Sequence, residues 1–154
     1  MKAIGFRVER KKLHWAVVSG SAEAPVLEDH GMDSAPTHYD EAATLSWFRS
    51  RTLALIDRST PDRAGIKYPE NTAQGGGTNS ARERSRAEGV VLQALNEKGV
   101  QAFTGVYKAV SGKMGTKSAK DYLGGDDVRG LDWTGVPAYR KEAVLSAIAG
   151  MGLS

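Results

Sequence analysis

The apolar positions change period along the chain, and each change marks an element. Lys2 to Val8 alternates short apolar side chains with others, which predicts a strand. The charged run Glu9-Arg10-Lys11-Lys12 predicts a turn. Leu13-His14-Trp15-Ala16-Val17-Val18-Ser19 is rich in β-branched and aromatic residues, the composition of a second strand. So short a connection predicts an antiparallel hairpin. Pro25 to Met32 predicts a third strand at the sheet edge, set off by Gly20-Ser21.

From Asp40 the period lengthens. Leu45, Phe48, Thr52, Leu55 and Ile56 fall on one face of a helix over 40–57, which Asp40 and Glu41 suit as a start and Pro61 ends. Arg63 to Tyr68 is a short strand after a helix, the mark of a crossover connection. Glu70 to Asn79, with Gly75-Gly76-Gly77, reads as a flexible loop. Ser80 and Glu83 have capping-box spacing. The helix they open runs to about Lys98, stops at Gly99, and buries Ala87, Val90, Val91, Ala94 and Leu95. Val100 to Val106 predicts a strand and Lys117 to Leu123 a short helix. Gly124 to Gly135 reads as a loop with three aspartates and Trp133. Pro137 to Ala149 predicts a last helix with Val144, Leu145 and Ile148 inward. The order β-β-β-α-β-α-β-α-α predicts an α/β fold of one domain, 1–154: a five-stranded mixed sheet with three antiparallel strands, then parallel ones, and helices on both faces.

Composition narrows the chemistry more than it identifies it. With 154 residues, the chain suits a single core. Zero cysteines exclude disulfides, thiolate metal sites and cysteine nucleophiles. No apolar run reaches the roughly 20 residues that span a bilayer, and Lys2 and Arg7 interrupt any signal-peptide core. A cytoplasmic location, with no membrane partner, is the expectation. The net charge of +3 suits a nucleic-acid partner without requiring one. His14, His30 and His38 lack metal-ligand spacing, and His14 reads as structural. No serine, histidine and aspartate grouping suggests a hydrolytic triad. Gly115-Thr116-Lys117-Ser118 is similar to the end of a phosphate-binding loop, but the required glycine five residues before the Gly-Lys pair is missing and no strand leads directly into it.

The element order is that of the ribonuclease-H-like fold, and several segments resemble the RuvC family of Holliday-junction resolvases. Ile4-Gly5-Phe6 followed by Trp15-Ala16-Val17-Val18 resembles the family's opening hairpin, and Ala64-Gly65-Ile66-Lys67 its fourth strand. Ser85 to Val91 resembles its Arg-Gly helix. Tyr107 to Lys117 resembles a segment with two lysines around a glycine turn, and Glu142 to Ala147 the acidic closing helix. The resemblance implies four carboxylates holding divalent metal ions against a phosphodiester. Position by position, they fall on Arg7, Lys67, Tyr139 and Glu142, of which only Glu142 is acidic. A Mg²⁺ or Mn²⁺ site needs carboxylate oxygens, and two cations in their place repel the metal.

Three functions follow as expectations. The first is a catalytically inactive, RuvC-like protein that contacts phosphates of branched or duplex DNA. Its candidate contacts are Lys108, Lys113, Lys117 and Lys120, read as spread over a glycine turn and a following helix, with Arg82 and Arg86 (and Arg84 between them) fanning from a helix start beside Gly75-Gly76-Gly77. In this reading Arg7 and Lys67 either grip a phosphate or pair internally with Glu142. The second is an active metal-dependent endonuclease with rearranged ligands Glu9, Glu70 and Glu142; Asp126, Asp127 and Asp132 read as a solvated loop. The third is a protein-interaction module on the same scaffold. The resemblance also implies a homodimer through the helix after Ser80. Trp15, Trp47 and Trp133 read as core or subunit contacts, with base stacking by Trp133 the alternative.

Overall fold

Odd and even positions of the first strand serve two different cores. The structure, a computed structural model, describes residues 1–70 and 78–153. Strands β1 (Lys2–Glu9), β2 (Lys12–Gly20), β3 (Pro25–Ser34), β4 (Arg63–Lys67) and β5 (Gln101–Gly105) form one sheet in the order β3-β2-β1-β4-β5. β1 to β3 are antiparallel neighbours; β1, β4 and β5 run parallel, as the crossover argument predicts. Ile4, Phe6 and Val8 enter one apolar cluster with Phe48, Leu55, Ala87, Val91 and Leu95, which come from α1 (Glu41–Ser59) and α2 (Asn79–Glu97). Ala3 enters the opposite cluster, built on α3 (Tyr107–Met114) and α4 (Ala138–Met151). The mixed sheet with helices on both faces is therefore the observed architecture.

Local chemistry explains most boundaries. The Asp40 side chain accepts from Ala43 N–H at 2.8 Å and caps α1, while Thr60 ends it in the left-handed region at φ 46°. Four expectations change. The capping box at Ser80 does not form: Thr78 caps α2 through Ala81 N–H, and Glu83 pairs instead with Arg10 at 2.5 Å. Tyr107 to Met114 is a helix rather than a glycine turn, because Tyr107, Val110, Ser111 and Met114 form a buried stripe and Gly115 closes it at φ 69°. The loop after Gly124 carries a two-stranded hairpin, β6 (Asp127–Val128) and β7 (Leu131–Asp132). Val90 is half-buried, and the inward position beside it belongs to Glu88. Gly75-Gly76-Gly77 lies outside the described residues.

α4 sits on the sheet with nothing between the two backbones. A Cβ on Gly5 would lie 1.8 Å from Ala143 O, and one on Gly65 1.9 Å from Ser146 O. Gly150 returns the contact, its own Cβ position lying 2.3 Å from Ala64 O. These glycines set the depth at which α4 presents Glu142.

Candidate functional site

The parallel register of β1 and β4 places Arg7 opposite Lys67, and the antiparallel register of β1 and β2 places Arg7 opposite His14. Three basic side chains therefore stand in a row across the carboxyl end of β1, and each meets a carboxylate. Arg7 Nε donates to Glu142 Oε1 at 2.7 Å, and its Nη1 to Val8 O at 2.8 Å. Lys67 Nζ donates to Glu70 Oε2 at 3.1 Å and to Tyr68 O at 2.5 Å, and lies 3.8 Å from Glu142 Oε1. His14 Nε2 is 2.6 Å from Glu9 Oε2.

Two tyrosines close the cluster. The Tyr107 hydroxyl donates to Glu142 Oε2 at 2.8 Å, its ring centroid lies 4.0 Å from Lys67 Nζ, and its backbone N–H donates to Glu70 at 3.2 Å. Tyr139 lies over the Arg7 guanidinium at 4.6 Å. Arg7, Lys67 and Glu142 are 7%, 1% and 8% exposed, so this is an interior ion cluster rather than a solvated patch. Burial pulls Lys67 below the ordinary lysine range, with Glu142 and Glu70 opposing it. Burial first, then the Glu142 charge, raises Tyr107 well above the usual phenol range, so its hydroxyl stays a donor.

The donor set does not suit a divalent cation. Both oxygens of Glu142 are engaged, and two cationic groups lie within 3.8 Å of it. Glu9 is held by His14 and Glu70 by Lys67, so Glu9, Glu70 and Glu142 each answer a separate base. Among the described residues, no three His, Cys, Asp or Glu side chains gather as one ligand set. Asp127 and Asp132 accept from the backbone of Gly130 and Thr134; the Thr134 bonds hold Asp132 below the usual carboxylate range. Asp126, Asp127 and Asp132 are all exposed, as a solvated loop requires.

The structure separates the remaining candidates. Lys108 and Lys113 are exposed on α3, Lys117 on the turn after it and Lys120 on the short 3-10 helix Ala119–Gly124 that the sequence predicts there, and none has an acceptor or acid partner among the described residues. Arg82 and Arg86 are exposed at the start of α2; Arg86 pairs with Glu41 at 2.7 Å and Arg82 reaches Asn79 at 3.3 Å. Trp15 and Trp133 are buried, and the Trp133 indole donates to Gly125 O at 3.0 Å, which removes it from base stacking.

Sequence reasoning missed Tyr107, Glu88 and the Glu9–His14 pair. The Glu9–His14 signal was available, since Arg7 and His14 are a hairpin pair once the four-residue turn is centred. Glu88 was legible from helix spacing, three and seven positions before Val91 and Leu95 on the buried face; it is 6% exposed, with Oε2 unbonded among the described residues and Arg84 Nε 4.0 Å away. Burial raises its pKa to about 7, against the opposing charges of Arg84, Arg7 and Lys67.

That shift has a measurable sign. Between pH 4.5 and about 7 the folded chain holds a proton on Glu88 that the unfolded chain has lost, so stability falls as pH rises through that window. Glu88→Gln should gain up to about 3 kcal/mol over the parent at pH 8 and nothing near pH 4. Urea midpoints at the two pH values check this; a parent that gains on the variant as pH rises contradicts it.

No family model matches the chain, and no curated protein matches its sequence. Solved structures do match its architecture. Thermus thermophilus RuvC aligns with a TM-score of 0.76 at 19% identity, covering 97% of this chain and 92% of that one. The chain has the RuvC fold. A T. thermophilus RuvC in complex with a Holliday junction substrate gives a TM-score of 0.75 at 18% identity over 97% and 91%. The yeast mitochondrial Holliday junction resolvase Ydc2 gives 0.60 at 7% identity over 97% and 78%. The RuvC fold thus spans 97% of this chain, and within it Arg7, Lys67 and Glu142 meet where β1 and β4 end.

Proposed function

We propose that this chain binds nucleic acid through phosphate contacts, on a RuvC-like scaffold, and does not cut it. The carrying observation is the closed Arg7–Glu142–Lys67 cluster, which fills the place where metal-holding carboxylates are expected and leaves no oxygen for a cation. The same cluster moves the phosphate contacts outward. Arg7 and Lys67 are each paired with an acid, whereas Lys108, Lys113, Lys117 and Lys120 are exposed and have no acid partner among the described residues. One matched structure is a RuvC bound to a Holliday junction, and branched DNA is the ligand this likeness favours.

The test is a mobility shift with junction, duplex and single-stranded DNA over a salt series. Binding is expected to be tightest at low salt and unchanged by chelator, with no product in Mg²⁺ or Mn²⁺. Exchanging Lys108 and Lys113 for glutamine should lower the slope of log K against log salt by about 2, near 0.9 per lost phosphate contact. Cleavage that disappears in Glu142→Gln would overturn the reading in favour of a metal-dependent endonuclease.

A second reading has its own observation. The internal pairing of Arg7 and Lys67, with a groove between α1 and α2 lined by Leu45, Gly89 and Val90, fits a protein-interaction module. A homodimer through the helix after Ser80 would use the same groove. Absence of nucleic-acid binding at low salt leaves this reading standing alone.

A further inference from the structure

We infer that the converted centre opens into a binding site for a single phosphate group, formed by Arg7, Arg10 and Arg84 with the hydroxyls of Ser80 and Tyr139. The inference rests on the nucleic-acid reading only for the source of that phosphate. The pocket lies between α2 and α4, and Arg7, Glu9, Arg10, Ser80, Arg84 and Tyr139 line it. Its volume of about 150 Å³ is well below the roughly 300–1,000 Å³ of pockets that take whole small-molecule ligands. It is a subsite for one small group, not a nucleotide pocket.

The lining favours an oxyanion. Three of its six side chains are arginines, and the one carboxylate, Glu9, is committed to His14 at 2.6 Å. Arg7 and Arg10 are each held by an acid, and all three arginines keep donors in reserve. Arg7 uses Nε and Nη1 on Glu142 and Val8 O, leaving Nη2 without an acceptor among the described residues. Arg10 uses Nε on Glu83, and neither Nη group has an acceptor among the described residues. Arg84 Nε is buried with no acceptor among them, a Glu88 carboxylate oxygen lying 4.0 Å away. A planar guanidinium offers five donors in a fork that fits phosphate oxygens, and orienting it beforehand lowers the ordering cost of binding. The first turn of α2, where Ser80 sits, carries no acid to oppose an anion.

Glu83, Glu88 and Glu142 stand behind the arginines and cancel most of their net charge. Free phosphate should therefore bind weakly, in the millimolar range, and a phosphate held on a polymer should bind better because neighbouring lysines add contacts.

Inorganic phosphate is the probe, titrated at pH 7.5 into the full chain labelled with nitrogen-15, at ionic strength fixed with chloride. Saturable shifts at the amides of Ser80, Arg84 and Tyr139 are expected, weakened at least tenfold in Arg84→Gln and measurably in Ser80→Ala. Unsaturable shifts, shifts confined to Lys108 and Lys113, or equal affinity in both variants would overturn the site. A duplex oligonucleotide is then added to the phosphate complex. Displacement of phosphate assigns the subsite to the nucleic-acid backbone; duplex binding that leaves phosphate in place supports the site with free phosphate as its ligand. A chain that binds phosphate here but no DNA keeps the site and loses the proposed function, and the converse result does the opposite.

Discussion

Glu142→Gln should cost about 3–5 kcal/mol of folding stability, the range for removing one partner of a buried ion pair. For a chain of 154 residues that is a fall of about 10–15 °C in Tm, at ~3 °C per kcal/mol. The substitution preserves shape, removes the charge and turns one acceptor oxygen into an NH2 donor. Arg7 and Tyr107 then compete for the one amide oxygen that remains, and Lys67, 1% exposed, keeps Glu70 and Tyr68 O. The desolvation of Arg7 is therefore no longer answered by its carboxylate partner, and Lys67 is left with Glu70 as its one acid. Replacing the whole set with Arg7→Met, Lys67→Met, Glu142→Leu and Tyr107→Phe should recover most of the loss, because apolar groups of similar volume substitute well for buried ion clusters. Urea denaturation of the parent, Glu142→Gln and the fourfold variant measures both halves. A Glu142→Gln cost below about 1 kcal/mol, the range of exposed pairs, would show that the cluster is open to water.

Gly5→Ala should be at least as damaging, by a different route. The added methyl would meet Ala143 O at 1.8 Å and Ala147 N at 2.7 Å, both backbone atoms that cannot rotate away. α4 has to lift from β1, and it is buried along nearly its whole length from Glu142 to Met151. Overpacking usually costs 1–3 kcal/mol; a clash of one backbone with another belongs above that range, at about 4 kcal/mol or more. Gly89→Ala is the matched control, since a Cβ there meets nothing within 4 Å, and on a helix it should be neutral or slightly stabilising. Circular dichroism melts distinguish the two. A Gly5→Ala melt within a few degrees of the parent would mean that α4 is not seated on the sheet as described.

How much of this was legible depended on what kind of interaction each residue makes. Strands and helices with a single apolar face were legible, because Phe48, Leu55, Val91 and Leu95 announce their period. The convergence of Arg7, Lys67 and Glu142 was also legible, because strand register and the closing helix follow from the element order. What was not legible was commitment. Nothing in the order of residues says that Glu142 spends both oxygens on Arg7 and Tyr107, since those contacts cross 135 and 35 positions of chain. The helix over Tyr107–Met114 was hidden for a related reason: Gly112 and Gly115 suggest a turn, and only burial of Tyr107, Val110 and Met114 against α4 selects the helix. The cap of α2 was misplaced because Glu83 finds a better partner in Arg10, on a different element, than in the backbone.

The register of β1 on β4 has a consequence for descent. Arg7 and Lys67 are paired across neighbouring strands and share Glu142, so positions 7, 67 and 142 form one electrical unit. A change of sign at any one alters the charge sum felt by the other two. Divergent copies of this chain should vary at these three positions together, and a copy with acids at 7, 67 and 142 would need something positive between them.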